Sequence, residues 1–341
     1  MITAALEKII RKEDLDRATA REAMGAIMDG KATDAQIGAF LAALRAKGEQ
    51  VEEIIGFAQA MRERAAAVPL EADELVDTCG TGGDGSHTFN ISTAAAIVAA
   101  SGGVKIAKHG NRAVSSRSGS ADVLEALEIP ISLTPEEAAS CLKQTNLCFL
   151  FAPLYHQAMK HAAGPRRELA IRTVFNLLGP LTNPAGASRQ LMGIYDRTLL
   201  RTVAEVLREL GVERALVVAG QDGLDELTVT GKSDVVELRD GQITQLEIAP
   251  EQFGLGRFRS EQLMGGDAAE NARIIEGIFT GNSGAARDIV LLNAGAILYL
   301  TDRADSIADG VTLAAELVDS GEVSRKLQQI REVAGGIAHA S

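Results

Sequence analysis

Residues 79–93, with the sequence CGTGGDGSHTFNIST, combine four glycines with serine, threonine and asparagine side chains. Five residues typical of a strand precede the glycines, and Ser92 or Thr93 can cap a helix after them. Glycine lets a backbone approach a ligand closely, and the free N–H groups at a helix start favour anions. A tight turn without a ligand is the alternative, but four glycines exceed what a turn needs. The segment therefore predicts a phosphate-binding loop.

The same glycines also fit a dinucleotide-binding motif in spacing alone. Gly80, Gly82 and Gly85 satisfy the pattern G-x-G-x-x-G. That motif needs an acidic residue about 20 positions further on to bind a ribose hydroxyl. No Asp or Glu occurs between Asp84 and Asp122, so the context does not favour a nicotinamide cofactor.

The acid-free window has a positive meaning as well. Residues 85–121 contain Lys105, Lys108, Arg112 and Arg117, a local charge of +4 in a chain of net charge −12. Clustered cations beside glycine and serine are typical of a pocket for a multiply charged anion such as pyrophosphate. We expect this window and the glycine-rich loop to face one ligand.

Two short motifs inside the window place polar side chains together, KHGNR at 108–112 and SGSAD at 118–122. Ser118 or Ser120 can cap a helix and offer a hydroxyl to a phosphate oxygen. A lone histidine is more often structural than functional, but the polar neighbours of His109 favour a ligand contact.

Two further motifs carry charge that chemistry could use. In GPRRELAIRT, Arg166 is the candidate for gripping a planar carboxylate through paired hydrogen bonds. We interpret Arg167 and Arg172 as part of a solvated helix face. In DGLDE, the adjacent carboxylates of Asp225 and Glu226 could hold Mg²⁺ together with phosphate oxygens. An isolated acidic pair is more often surface charge.

The elements that must position these residues fall into two blocks. Residues 1–70 read as three amphipathic helices, the first from an Asp14 cap to Met28 and the second opened by a Thr33 capping box. The third covers residues 51–67. Residues 71–341 instead alternate short apolar runs with helical stretches, and a helical segment near 165–180 could return to the first block. The expected fold class is α/β, a small helical domain beside a large α/β domain, with a cleft between them.

Composition limits the function classes. Of 341 residues, 46% are hydrophobic and 23% charged, which is typical of a globular protein and excludes a disordered or fibrous chain. The net charge of −12 gives little support to nucleic-acid binding. The three cysteines match no metal or redox spacing, and no window resembles a signal peptide or membrane span. We expect a cytoplasmic protein that binds neither membranes nor nucleic acid.

Seven motifs, GTGGDG, NIST, KHGNR, SGSAD, RRELAIRT, NLLGPLTNP and DGLDE, occur in this order across nearly the whole chain. Together they resemble the anthranilate phosphoribosyltransferase family. The resemblance implies a nucleoside-phosphorylase-like fold and a homodimer formed through the helical domain. It implies that the phosphoribosyl group of phosphoribosyl pyrophosphate (PRPP) passes to the amine of anthranilate, with Mg²⁺ as cofactor and release of pyrophosphate, in tryptophan biosynthesis.

The resemblance also implies roles for individual residues, none of them an acid or base catalyst. The residues implied in PRPP binding are Gly80, Gly82, Gly83, Asp84, Thr88, Asn90, Ser92, Thr93, Lys108 and Ser120. Those implied in anthranilate binding are Gly80, His109, Asn111 and Arg166. Those implied in metal binding are Ser92, Asp225 and Glu226. Two positions depart from the family pattern, Ala170 in place of a glycine and Gln157 in place of a proline.

Two alternatives remain open. A pyrimidine nucleoside phosphorylase has a similar fold and a glycine-rich phosphate loop, although GTGGDG and the Arg166 segment favour the transferase. A nucleic-acid-binding relative of the same fold is expected to be broadly basic, whereas this chain is acidic. A phosphorolysis assay and a mobility-shift assay would separate these alternatives.

Overall fold

The computed structural model describes residues 2–70, 74–113 and 117–340. Helices α1 to α15 span Ile2–Ile10, Arg17–Met28, Asp34–Lys47, Val51–Arg62, Ile91–Ser101, Ser120–Ala126, Pro135–Thr145, Ala152–Tyr155, Lys160–Leu169, Phe175–Leu181, Leu200–Glu209, Ala268–Phe279, Ala285–Leu300, Ile307–Asp319 and Glu322–Ala340. Strands β1 to β7 span Val76–Gly80, Ile106–Gly110, Leu147–Phe151, Arg189–Gly193, Arg214–Gly220, Ser233–Arg239 and Gln242–Ile248. Short 3₁₀ helices span Gln157–Met159, Arg197–Leu199, Pro250–Phe253 and Ser260–Leu263.

The N-terminal segment is helical, as the sequence predicts, with different bounds. The carboxylate of Asp16, rather than that of Asp14, accepts the Thr19 N–H at 2.8 Å and caps α2. The capping box of Thr33 is confirmed, since its hydroxyl accepts the Gln36 N–H at 3.3 Å. The sequence analysis missed α1, and the third predicted helix, α4, ends at residue 62 instead of residue 67.

Two helices from the middle of the chain pack on the N-terminal bundle. Ala162 of α9 and Phe175 of α10 belong to the same buried hydrophobic cluster as Phe40 and Phe57. The rings of those two phenylalanines meet edge to face, with centroids 5.8 Å apart. The predicted domain boundary at residues 70 and 71 stays a prediction, because residues 71–73 lie outside the described residues.

The seven strands form one sheet in the order β3-β2-β1-β4-β5-β6-β7. The first five are parallel and the last two antiparallel, which confirms the predicted α/β class. Successive strand residues point to opposite faces. Leu191 and Leu216 face the cluster that contains α5 and the C-terminal helices, whereas Met192 and Val217 face the cluster shared with the bundle. The three cysteines are buried and free.

The chain order of the strands reverses direction between β1 and β4. From β1 the chain continues to β2 and β3 on one side, and β4 then pairs with the other side of β1. In open α/β sheets, ligands bind beyond the carboxyl ends of strands at such a point. Gly80 and Gly193, the last residues of the two strands, lie directly opposite each other there. In the described part of the chain, none of the helices is long and apolar enough to cross a membrane.

Candidate active site

The glycine-rich loop leaves β1 at this reversal point and leads to α5. Gly82, Gly83 and Gly85 have φ values of +67°, +76° and +76°, the left-handed region that favours glycine. Asn90 occupies the N-cap position of α5. Ser92 and Thr93 lie in its first turn, so the expectation that one of them caps the helix is wrong. The three positive φ values let the chain turn from the end of β1 to the start of α5.

The DGLDE segment follows β5 and lies over the ends of β1 and β4. A Cβ on Gly193 would collide with the backbone carbonyl of Asp225, and one on Gly80 would collide with the Asp225 carboxylate. The Gly82 N–H donates to the Asp225 carboxylate at 2.7 Å. Two strand-end glycines thus allow an acidic segment from a third strand to contact the glycine-rich loop.

Three carboxylates are close together at this edge. Asp225 and Glu226 are 9% and 8% exposed. Burial, followed by the negative charge of Asp84, raises the pKa of Asp225. Burial, followed by the charge of Asp225, raises the pKa of Glu226. This crowding of negative charge is unfavourable in isolation and suits a site that receives a cation.

The donor set fits Mg²⁺ in a specific way. Among the described residues, no group of three or more His, Cys, Asp or Glu side chains is arranged to hold a metal ion by itself. Mg²⁺ usually takes only one or two protein carboxylates and completes its shell with phosphate oxygens and water. The buried pair Asp225 and Glu226 meets that requirement, and Ser92 interacts with Glu226 through its side chain.

Lys108 connects β2 to this cluster. Its ammonium group is buried and donates to the Thr78 carbonyl at 2.5 Å and to the Ser92 hydroxyl at 3.2 Å. Burial lowers the pKa of Lys108, and the negative charges of Asp77 and Glu226 oppose that shift. A buried cation beside buried carboxylates can hold a phosphate oxygen without large reorganisation.

The other cations of the window do not join Lys108, so the predicted concentration of four positive charges in the pocket is wrong. The Arg112 guanidinium pairs with Asp122 at 2.9 Å and with Glu125 at 2.6 Å. Lys105 precedes β2 at its amino end, away from the loop edge. Arg117 is exposed. The segment 114–116, which lies inside the window, is outside the described residues.

A network of side-chain amides positions Asn90. Its Nδ2 donates to the Ser118 carbonyl at 3.2 Å. Its Oδ1 accepts from Nδ2 of Asn271 at 2.9 Å, and the Asn271 Oδ1 accepts the Gly266 N–H at 2.8 Å. The sequence analysis missed Asn271, which lies on α12 with no motif around it. Only its 1% exposure and its contacts identify it.

The remaining loop candidates lie on segments near the same edge. Thr88 forms an isolated antiparallel bridge with Met264. Ser120 is the first residue of α6, not its cap, and its hydroxyl donates to the Asn111 carbonyl at 3.3 Å. Gly119 occupies the N-cap position, so Ser118 does not cap this helix either.

His109 follows Lys108 on β2 and lies on the side of α10. One ring nitrogen, Nδ1, is 3.2 Å from the Gly179 carbonyl, and its ring centroid is 5.1 Å from that of His156. Burial, with a smaller effect of His156, lowers the pKa of His109 to about 3. Its Nε2 is buried and makes no hydrogen bond to the described residues. The ring is neutral and has one polar atom available.

Arg166 is the half-buried arginine near the end of α9. Its guanidinium lies 4.8 Å from the ring centroid of Phe175, and burial lowers its pKa. It forms no ion pair with the described residues, so its fork of donors is available to a carboxylate. Arg172 lies beyond α9, so its assignment to a helix face is wrong; its guanidinium stacks 4.2 Å from the ring centroid of Tyr195.

Ala170 ends α9 in the left-handed conformation, with φ of +50°. This conformation explains why a glycine is expected at the position, because a Cβ there is strained. Gln157, the other departure from the pattern, is exposed at the start of a short 3₁₀ helix.

Comparisons with known proteins agree with this geometry. Residues 3–65 match the helical bundle domain of a glycosyl transferase family, and residues 72–324 match its a/b domain. Anthranilate phosphoribosyltransferase of Brevibacillus brevis is 72% identical over 341 residues, which is all of both chains. The crystal structure of the Thermus thermophilus enzyme superposes with a TM-score of 0.92, at 43% identity over 97% of this chain and 99% of that one.

A third relative is the anthranilate phosphoribosyltransferase of Saccharomyces cerevisiae, solved in complex with PRPP and Mg. It is 27% identical with a TM-score of 0.89, and the match covers 98% of each chain. Full-length identity of 72% with a matching fold leaves one conclusion. The chain belongs to the anthranilate phosphoribosyltransferase family.

Proposed function

We propose that this chain transfers the phosphoribosyl group of PRPP to the amine of anthranilate, and that the edge of the sheet at β1, β2, β4 and β5 is where it does so. The observation that carries the assignment is the meeting of three elements there: the glycine-rich loop, the buried Lys108 ammonium and the buried pair Asp225 and Glu226. Each recognises a different part of a magnesium pyrophosphate.

The glycine-rich loop and α5 hold the pyrophosphate. The loop residues Gly80, Gly82 and Gly83 carry no side chains and let the backbone approach the pyrophosphate closely, and the start of α5 adds the favourable end of its dipole. Hydroxyl, amide and ammonium donors complete the cradle. We assign this role to the side chains of Thr88, Asn90, Ser92, Thr93, Lys108 and Ser120 and to the backbone N–H of Asp84.

Asp225 and Glu226, with the Ser92 hydroxyl, would hold Mg²⁺ together with phosphate oxygens of the substrate. A bound ion would supply positive charge that neutralises the leaving pyrophosphate. The protein's part is to keep two carboxylates ionised and close, although burial opposes this. Lys108 supports it, since its positive charge lowers the pKa of Glu226.

The acceptor lies toward α9 and α10. We assign the carboxylate of anthranilate to Arg166 and Asn111, with Gly80 and the free Nε2 of His109 beside the ring. The aniline nitrogen is a nucleophile without a strong base, which agrees with the neutral His109. As the bond from C1 of the ribose to pyrophosphate breaks, positive charge develops on the sugar. Catalysis then comes from positioning and from stabilising the leaving group.

We further propose a cytoplasmic homodimer that assembles through the helical domain. Ile10, at the end of α1, is 65% exposed and is an apolar side chain that such an interface would bury. Sedimentation equilibrium is expected to give twice the 35.9 kDa chain mass. Replacing Ile10 by Glu is expected to shift the equilibrium toward the monomer.

The decisive test of the activity follows anthranilate fluorescence. The chain contains no Trp, so its own emission is low. We expect fluorescence to fall only when protein, anthranilate, PRPP and Mg²⁺ are all present, and to stop falling when a chelator is added. No decay with folded protein and intact PRPP would contradict the proposed acceptor, and nucleosides with phosphate would be tried next.

A further inference from the structure

A cavity of about 690 Å³, wide open to the surface, lies between the helical bundle and the end of β4. Its lining includes Arg45 of α3, Arg172 from the segment between α9 and α10, and Tyr195, Arg197 and Asp234 on the sheet side. None of these side chains has a role in the site described above. Three arginines line this one cavity, although the chain has a net charge of −12, and such a cluster is typical of a site that binds an anion.

The cavity is adjacent to the glycine-rich loop. Nε of Arg172 lies 3.3 Å from the position that a Cβ on Gly83 would take. The guanidinium carbon of the same arginine is 4.2 Å from the Tyr195 ring centroid. The Tyr195 N–H donates to the Thr81 hydroxyl at 3.2 Å. The Arg172 guanidinium therefore lies between the Tyr195 ring and Gly83, and the backbone of Tyr195 is hydrogen-bonded to the loop.

The three arginines of the cavity differ in whether a carboxylate neutralises their charge. Arg197 pairs with Asp234 at 2.5 Å, so its charge is neutralised. The other carboxylate of the lining, Asp196, accepts hydrogen bonds from the backbone N–H and the hydroxyl of Thr198. Arg172 and Arg45 form no ion pair or hydrogen bond with the residues that the structure describes. Glu49 acts on Arg45 only through longer-range attraction. Two guanidinium groups, one from each side of the cavity, are available to an anion.

We propose that Arg172 and Arg45, with Tyr195 holding Arg172 in place, form a second anion site that receives pyrophosphate as it leaves the glycine-rich loop. Paired guanidinium groups suit the several oxygens of a pyrophosphate. Arg172 lies beside Gly83 of the loop, so an anion that leaves the loop meets the Arg172 guanidinium next. The identity of the anion rests on the proposed function; the presence of an anion site does not.

Titration calorimetry with inorganic pyrophosphate on the full chain tests the site. We expect Arg172→Gln and Arg45→Gln each to weaken pyrophosphate binding about tenfold, which is about 1.4 kcal/mol. Arg167→Gln is the matched control, since it removes the same charge from an exposed position on α9. Tyr195→Phe should bind as the unsubstituted chain does, whereas Tyr195→Ala should bind more weakly because the stacking surface is lost.

The steady-state constants separate released pyrophosphate from the pyrophosphoryl group of PRPP. In Arg45→Gln, the inhibition constant of pyrophosphate should rise while KM for PRPP stays constant. An equal rise in both would make Arg45 part of the PRPP site and overturn the proposal. Pyrophosphate binding that is the same in Arg172→Gln, Arg45→Gln and Arg167→Gln would overturn it too. Melting temperatures close to that of the unsubstituted chain exclude a folding defect, and Arg172→Lys should recover part of the binding.

The activity of the unsubstituted chain distinguishes the two proposals. Turnover of anthranilate together with pyrophosphate binding that does not depend on Arg172 or Arg45 leaves the activity established and removes the second site. Absence of turnover together with arginine-dependent binding of pyrophosphate removes the acceptor assignment and retains the anion site.

Discussion

The two halves of the site are held in different ways. At the sheet edge, backbone and side chains already pair with one another, as in the contacts of Gly82 with Asp225 and of Lys108 with Thr78 and Ser92. On the acceptor side, Arg166 and Nε2 of His109 have no hydrogen-bond partner among the described residues. The sheet edge is preorganised for a charged group, whereas the acceptor side leaves its polar groups for the ligand.

This difference follows from the elements that supply each half. Gly80 and Gly193 are fixed by the hydrogen bonds between the parallel strands β1 and β4, which place the two residues opposite each other. The acceptor side depends on α9 and α10, which pack on α2, α3 and α4 of the bundle. We infer that substitutions at the edge affect the chemistry of every turnover, and that those near α9 affect which acceptor is held.

The largest effect is expected at the carboxylate pair. Glu226→Gln should reduce kcat/KM by at least about 100-fold, because a metal that neutralises the leaving group contributes several kcal/mol. Without Mg²⁺, and at a pH above the raised pKa of Glu226, the same variant should melt at a higher temperature than the unsubstituted chain, since one buried negative charge is removed. Glu213→Gln, at the exposed amino end of β5, is the control.

The same pair gives a pH dependence. Burial raises the pKa of Glu226 in the folded chain above its value in the unfolded chain. Between those two pKa values the folded state binds more protons, so stability of the metal-free protein falls as pH rises through that interval. Glu226→Gln should flatten the slope of melting temperature against pH. An unchanged slope would show that the carboxylate is not crowded.

The acceptor side should respond differently. Arg166→Ala is expected to raise KM for anthranilate about tenfold to a hundredfold, because hydrogen bonds to a charged group contribute about 1.5–3 kcal/mol. KM for PRPP should change little. Arg167→Ala, one residue further along the same helix, should leave both constants unchanged. Equal changes in both constants for Arg166→Ala would contradict the division of the site into two halves.

Asn271 tests whether a residue outside all the motifs supports the edge. Asn271→Asp keeps an acceptor for the Gly266 N–H and loses the donor to Asn90. We expect KM for PRPP to rise by roughly tenfold, the effect of one misplaced hydrogen-bonding group. KM for anthranilate should stay constant. Asn282→Ala, an exposed asparagine, is the control, and the same result in both variants would exclude a positioning role for Asn271.

The smallest expected effect is at Ala170. Its left-handed φ of +50° is strained for a residue with a Cβ, by about 1 kcal/mol. Ala170→Gly should therefore raise the free energy of unfolding by up to that amount in urea titrations. Ala163→Gly, in the middle of the same helix and exposed, should lower it by about 0.5–1 kcal/mol. Both variants replace alanine by glycine, so opposite changes in the free energy of unfolding would show the effect of the backbone conformation at residue 170.

Much of the fold and of the loop edge is readable in the sequence because the signals are local. Glycines with positive φ, the Thr33 capping box and the alternation of apolar runs with helices each depend on a few neighbouring residues. The motifs also resemble a family over their whole order, which is how Asp225 and Glu226 become candidates despite being a weak signal in isolation. Helix bounds differ by a few residues because caps compete with one another.

The tertiary structure alone decided which charges are available. A window rich in cations predicts a basic pocket, yet Arg112 pairs with Glu125 and Lys105 lies at the far end of β2. Asn271 becomes relevant only because α12 packs beside the start of α5. The sequence predicts Arg172 on a helix face, but the left-handed Ala170 ends α9 before it, and Arg172 lies beside the glycine-rich loop. Sequence spacing sets which groups exist, and strand order and packing set which of them remain unpaired.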